Sequence, residues 1–169
     1  MNVRLRSLHA DDRRPIRDLL RRTGHFTEQE IDIALELADA VLNKTDPDYR
    51  FVVAEYSGAS VAGYGCWGAA PLTQGTYDIY WIAVSPELQG QGVGSRILTH
   101  MESRIAEHGG RLILIETSSS DLYRNTCAFY IRRGYVLESR IKDFYKIGDD
   151  KIIYAKRCRP SGQEKTKNG

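Results

Sequence analysis

The chain has 169 residues, of which 41% are hydrophobic, a length and composition that suit one domain with a sizeable core. Twenty-four Lys and Arg against 22 Asp and Glu leave a net charge of +2, too weak a field to demand nucleic acid or a membrane as partner. Cys66, Cys127 and Cys158 are odd in number and scattered, which argues against a disulfide framework and for a reducing compartment, and no Cys/His cluster has zinc spacing, so no metal site is expected.

Val3 to Leu8 alternates apolar and polar residues and reads as a strand. Asp11 or Asp12 can cap a first helix, with Pro15 in its first turn and Gly24 at its end. Arg13, Arg14, Arg17, Arg21 and Arg22 form a basic cluster that reads as its solvated face. Thr27-Glu28-Gln29-Glu30 is a capping box that opens a second helix, with Ile31, Ala34, Leu35, Ala38, Val41 and Leu42 at helical spacing. Tyr49–Tyr56 and Ser60–Gly68 are β-rich runs joined at Ser57-Gly58, a predicted hairpin. A loop, Pro71–Gly75, precedes a long strand, Thr76–Val84. A helix follows from about Val93 to His108, with His100 and His108 expected on its solvated side. The apolar run Leu112–Ile115 predicts a buried central strand. Asn125–Arg133 is a short helix ended by Gly134, and Tyr135–Phe144 and Lys151–Arg157 are two more strands. Residues 1–158 are read as a single domain, and 159–169, polar and Lys-rich, as a disordered tail. Met1–Arg6 lacks the apolar core of a signal peptide and no run approaches the ~18–20 apolar residues of a membrane span, so a cytoplasmic protein is expected. The order β-α-α-β-β-β-α-β-α-β-β predicts an α/β fold: a mixed, mostly antiparallel twisted sheet of about seven strands flanked by about four helices.

The stretch Tyr80 to Leu98 carries the most information. An apolar strand ends at Ile82-Ala83-Val84-Ser85-Pro86, and a glycine-rich loop then opens directly into a helix. Such a junction offers unpaired N–H groups at the positive end of a helix dipole, a site for phosphate or pyrophosphate. A Walker loop is excluded, because no Gly-Lys-Ser/Thr ends the run. A dinucleotide loop is disfavoured, because Gly90-Gln91-Gly92-Val93-Gly94 lacks the Gly-x-Gly-x-x-Gly spacing and no acidic residue follows about twenty positions on. Gln89, Gly92 and Gly94 instead satisfy Gln/Arg-x-x-Gly-x-Gly/Ala, which resembles the acetyl-CoA loop of the GNAT superfamily of N-acyltransferases. Asn125-Thr126-Cys127-Ala128-Phe129-Tyr130-Ile131-Arg132-Arg133-Gly134-Tyr135 resembles that family's Asn-x-x-Ala-x-x-Phe/Leu-Tyr-x-x-x-Gly-Phe/Tyr helix, with one residue fewer between Ala128 and Tyr130 than in many members. The element order agrees over roughly residues 3 to 157.

The resemblance implies acetyl-CoA as cofactor and assigns roles. Ile82, Ala83 and Val84 would pair with the pantetheine arm through their backbone. Gln89, Gly90, Gln91, Gly92, Val93 and Gly94 would donate N–H groups to the pyrophosphate, Ser95 could add a hydroxyl, and Asn125 could contact pantetheine. Tyr130 would touch the cofactor and protonate its sulfur. Acyl transfer to an amine also needs a base, because only the free amine attacks. Glu116, closing the apolar strand, occupies the place of a glutamate in N-terminal-alanine acetyltransferases of the superfamily. Asp78 and Tyr80, which share a strand face with Ile82 and Val84, are the other two candidates. Ordered water is the alternative to all three.

The acceptor pocket is expected between the first two helices, the loop Ala69–Gly75 and the last hairpin, where Asp78, Glu116, Asp149 and Asp150 would suit a cationic amine. The expected activity is acetylation of a primary amine of a small molecule. A protein or peptide N-terminal or lysine acetyltransferase, and a non-catalytic acyl-CoA sensor, are the alternatives. Edge strands near the C-terminus could pair in a homodimer, though nothing in the chain requires it.

Overall fold

A computed structural model describes residues 3–45, 48–56 and 60–158, so the predicted Ser57-Gly58 turn and the predicted tail lie outside the described residues. The elements run β1 Val3–Arg6, α1 Arg13–Thr23, α2 Glu28–Leu42, β2 Tyr49–Tyr56, β3 Ser60–Ala69, β4 Thr76–Val84, α3 Val93–Glu107, β5 Leu112–Ser118, α4 Arg124–Arg132, β6 Val136–Lys146 and β7 Asp149–Arg157. Single 3-10 turns precede α1, α3 and α4 at Ala10–Asp12, Pro86–Leu88 and Asp121–Tyr123. The expected seven-stranded, mostly antiparallel α/β architecture with four helices is borne out. Residues up to 69 and 79–101 make one compact unit, and 70–78 with the residues from 102 onward make another; β4 and α3 run through both.

In the first unit the strands lie in the order β1-β2-β3-β4. β1 and β2 pair antiparallel from Val3↔Tyr56 to Arg6↔Val53, and β2 pairs antiparallel with β3 from Tyr49↔Gly68 onward, with a bulge at Ala54/Glu55. The helices form where their end signals stand. Gly24, at φ 67°, closes α1 by donating its N–H to Arg21 O. Thr27 Oγ1 accepts the Glu30 N–H, while Glu30 Oε2 accepts the Thr27 N–H at 2.7 Å, the reciprocal pairing the capping box predicts. Ile16, Leu19 and Leu20 of α1 and Ile31, Ala34, Leu35 and Ala38 of α2 are buried against Phe51, Val53, Tyr64 and Cys66. Burial of a Leu or Ile of this kind contributes about 1.5–3 kcal/mol.

Two expectations are corrected here. The Asp12 side chain does not cap α1. It accepts the His9 N–H and two hydrogen bonds from Arg6, whose Nε also bonds Glu55 at 2.5 Å. Burial opposes the Asp12 charge, but the Arg6 hydrogen bonds outweigh it and hold the carboxyl below its usual range. His100 is not simply solvated: it stands edge-on to Trp67, with ring centroids 6.4 Å apart. On that side of β3 the sheet is lined by glycine. A Cβ on Gly63 would lie 2.6 Å from Ala83 O and 3.1 Å from Ile97 Cδ1, and one on Gly65 would lie 2.6 Å from Met101 Sδ. α3 therefore rests directly on strand backbone.

In the second unit the order is β4-β5-β7-β6. β5 and β7 pair antiparallel from Leu112↔Arg157 to Ser118↔Lys151. Ile113 and Ile115 are buried, as the apolar run predicts, and the strand continues three residues further, to Ser118. β6 is an exposed edge along its whole length, and its register with β7 slips between Ile141 and Lys146. Four residues, Lys142–Tyr145, bulge outward there, with Asp143 at φ 53°. Asp150 closes the bulge by accepting the Asp143 N–H at 2.9 Å and pairing with Arg140.

Gly63→Ala should destabilise the protein by about 1–3 kcal/mol, because its methyl group meets backbone rather than a flexible side chain. Urea denaturation should show the midpoint falling with the slope unchanged.

Candidate active site

In the first unit β4 delivers the chain to the glycine loop. Ile79 and Ala83 face the core while Tyr80 is exposed and Ile82 and Val84 are half-buried, as strand alternation requires. The Ser85 N–H donates to Ala62 O at 2.8 Å, anchoring the strand end to β3. The Ser85 hydroxyl bonds the Glu87 carboxylate, and Arg22 of α1 reaches Glu87 at 3.3 Å. The Ser85 bond, with lesser help from Arg22, holds the Glu87 carboxyl below its usual range. The side chains of Gln89 and Gln91 brace the turn from within, donating to Val84 O at 3.3 Å and Glu87 O at 2.9 Å. Gly90 and Gly92 stand at φ 74° and 84°, where other residues are strained, and a Cβ on either would meet no atom within 4 Å. The result is an open stretch of bare backbone at the start of α3, whose first-turn N–H groups have no partner within the helix. This fits a pyrophosphate. The Gln89 N–H, expected among its donors, is instead bonded to Pro86 O at 3.3 Å.

In the second unit the register sorts the chemistry onto two faces. Glu116 lies opposite Ile153, and Lys151 lies opposite Ser118, on one face of the β5–β7 pair. Lys151 Nζ is 2.5 Å from Glu116 Oε2. Asp78 joins them: burial raises its carboxyl pKa, the Glu116 charge raises it further, and Lys151 opposes both. Ile115, Tyr154 and Ile152 occupy the other face, and α4 packs there. Tyr130 is 5% exposed, with its ring centroid 6.2 Å from Tyr154 and 5.9 Å from Tyr135. Burial, with the neighbouring Cys127, pushes its phenol pKa well above the usual value. Tyr130 and Glu116, expected to serve one reaction, thus flank β5 from opposite faces. Asn125 is exposed in the first turn of α4.

The other two carboxylates expected near the acceptor are not part of this group. Asp149 is buried and accepts a hydrogen bond from Ser118 Oγ at 2.5 Å. Asp150 is equally buried, its N–H donating to Ser119 Oγ and its carboxylate closing the bulge. Both hold loops. Conversely, the sequence reading missed Lys151, whose only signal is its register opposite β5. It also missed the cavity of about 220 Å³ beside α4, lined by Ser119, Arg124, Cys127, Arg140 and Tyr154 among others.

A family model for the acetyltransferase (GNAT) domain matches residues 47–137. A solved GNAT-family protein from Desulfovibrio desulfuricans is 41% identical, with a TM-score of 0.86 over 92% of this chain and 99% of its own. The chain belongs to the GNAT acetyltransferase family. A Salmonella typhimurium protein solved with its cofactor acetyl-CoA shares the fold at 16% identity, with a TM-score of 0.74 over 98% of this chain and 99% of its own. The Bacillus subtilis S-(2-succino)cysteine N-acetyltransferase is 29% identical over 70 residues, 41% of this chain; the match spans 42% of that enzyme's length. Among the described residues no helix is long and apolar enough to cross a membrane. Acetyl-CoA is the GNAT cofactor.

Gly92→Glu should abolish CoA binding in calorimetry, by obstruction and by repulsion of the phosphates. Its backbone strain of about 1–2 kcal/mol should lower Tm by only a few degrees.

Proposed function

We propose that the protein transfers an acetyl group from acetyl-CoA to the primary amine of a small molecule by direct attack on the thioester. The observation that carries this reading is the half-exposed Glu116 carboxylate on one face of β5, near Asp78, with the buried Tyr130 phenol on the other. Acetyl-CoA, when bound, supplies the activated acyl group. The Glu116 side chain is half exposed and takes the proton of the acceptor ammonium, since only the free amine attacks. Asp78, whose raised pKa lets it keep a proton to higher pH, completes the relay. The Tyr130 hydroxyl holds a proton available to a thiolate leaving group. Ile82, Ala83 and Val84 offer backbone to pantetheine, Gly90, Gln91, Gly92, Val93 and Gly94 offer N–H groups to the pyrophosphate, and Ser95 and Asn125 add polar contacts. Gln89 keeps the turn closed.

A small acceptor is supported by the partial match to an enzyme named for the amino acid S-(2-succino)cysteine. A peptide N-terminus is the second reading, favoured by the exposed Phe144 and Tyr145 on the β6 bulge, in the same unit as Glu116. Thiol release from acetyl-CoA against polyamines, amino acids, aminoglycosides and short peptides separates these readings. Calorimetric CoA binding on the same sample separates a transferase from a sensor, which binds without release.

Tyr130→Phe should lower turnover about 100-fold, within the range for a general acid, with CoA affinity changed less than twofold. Equal turnover would remove Tyr130 as the acid. Because burial raises its pKa, the phenol stays protonated past its ordinary value of about 10. The pH profile of kcat should therefore show no basic limb from Tyr130 below about pH 10.

A further inference from the structure

Glu116 can accept a proton only with a carboxylate oxygen turned toward the acceptor. Asp78 is near enough for the Glu116 charge to raise its carboxyl pKa beyond what burial does. A nearby negative charge favours retention of a proton by Asp78, and a nearby ammonium opposes it. Lys151 is the counter-charge. It lies diagonally across from Glu116 on β7, on the same face, with its Nζ 2.5 Å from Oε2. The two partners are held differently. The Lys151 side chain is 16% exposed and the Glu116 side chain 51%. The Phe144 ring lies over the Lys151 ammonium, 4.8 Å from Nζ to the centroid. That ring is in place because the four-residue bulge in β6 swings it out of the β6–β7 ladder, and the bulge is locked by Asp150. Asp149, two residues along β7, is turned to Ser118 Oγ and does not compete for the ammonium. The lysine is the fixed member of the pair, and the glutamate keeps an exposed side.

We infer that Lys151 is a positioning residue for acetyl transfer: its ammonium, pinned beneath Phe144, holds the Glu116 carboxylate beside Asp78 with one oxygen free for the acceptor. The inference rests on the reading of Glu116 as proton acceptor. Acceptor binding does not require Lys151; the proton inventory of the carboxylate pair does. Loss of its charge therefore affects turnover and titration rather than acceptor affinity. Arginine, which keeps the charge, restores both.

The test is carbon-13 titration of the Asp78 carboxyl in full-length wild type, Lys151→Met and Lys151→Arg. Turnover of acetyl-CoA is measured in parallel with the amine that gives most thiol release in the panel. In Lys151→Met the Asp78 midpoint should rise by about one pH unit. Turnover at pH 7 should fall about tenfold or more with acceptor KM within twofold, and Lys151→Arg should return both toward wild type. A wild-type Asp78 midpoint and wild-type turnover in Lys151→Met would overturn the proposal. Glu116→Gln separates it from the reading beneath it. If Glu116→Gln is inactive while Lys151→Met is unaffected, the relay stands and Lys151 falls. If Glu116→Gln is fully active, the relay falls and takes Lys151 with it. Lys151→Gln replaces the methionine variant should circular dichroism show that Lys151→Met does not fold.

Discussion

The contact of α3 with β3 fixes the helix that the glycine loop opens. Gly63 and Gly65 remove the side chains that would separate helix from sheet, so Ile97 and Met101 rest on backbone. A helix seated that closely has little freedom to slide, because packed interiors resist small changes in volume. Its first turn, and the row of N–H groups that turn exposes, is thereby fixed. The turn before it is tied down separately: Ser85 to Ala62 O, Ser85 and Arg22 to Glu87, and two glutamine side chains to carbonyls within the turn. An anion site made of backbone depends on such bracing, since no side chain can shift to compensate for a displaced amide.

The second unit divides its acidic residues by a different rule. Asp149 and Asp150 are buried and fully engaged with hydroxyls, a backbone N–H and an arginine, so their charge is committed to holding loops. Lys151 pairs with Glu116, and its charge also acts on Asp78. A carboxylate with unmet charge is available for proton transfer; one already satisfied is not. The same logic describes the β6 edge. Glu138, Arg140, Lys142 and Lys146 alternate along it and the bulge interrupts its hydrogen-bonding line, devices that discourage another strand from adding there. The bulge also delivers Phe144 to Lys151, so one irregularity serves both edge and site.

Much of this could be read in the sequence because it is local. The capping box at Thr27, the terminal Gly24, the apolar stripes of α1 and α2, and the strand–loop–helix passage from Tyr80 to Leu98 each lie within a few residues, and each is where it was expected. The limits of β1, β5 and β6 moved by one to three residues, because a strand ends where its partner stops, and the partner is distant in the chain. Asp12 was misread for the same reason. Beside a helix start it looks like a cap, but Arg6, brought alongside Glu55 by the pairing of β1 with β2, draws it inward.

The sequence by itself determined the element order, the glycine loop with its positive-φ residues, and the identities of the groups able to move protons, because each depends on residues close together along the chain. Tertiary structure alone decided which carboxylates are tied into loops and which stands beside Lys151, that Tyr130 and Glu116 flank β5 rather than share a face, and that Asp150 closes the β6 bulge. Those outcomes depend on the register of β5 against β7 and of β7 against β6. A shift of one residue in either would exchange the faces, and no local signal in the chain encodes it.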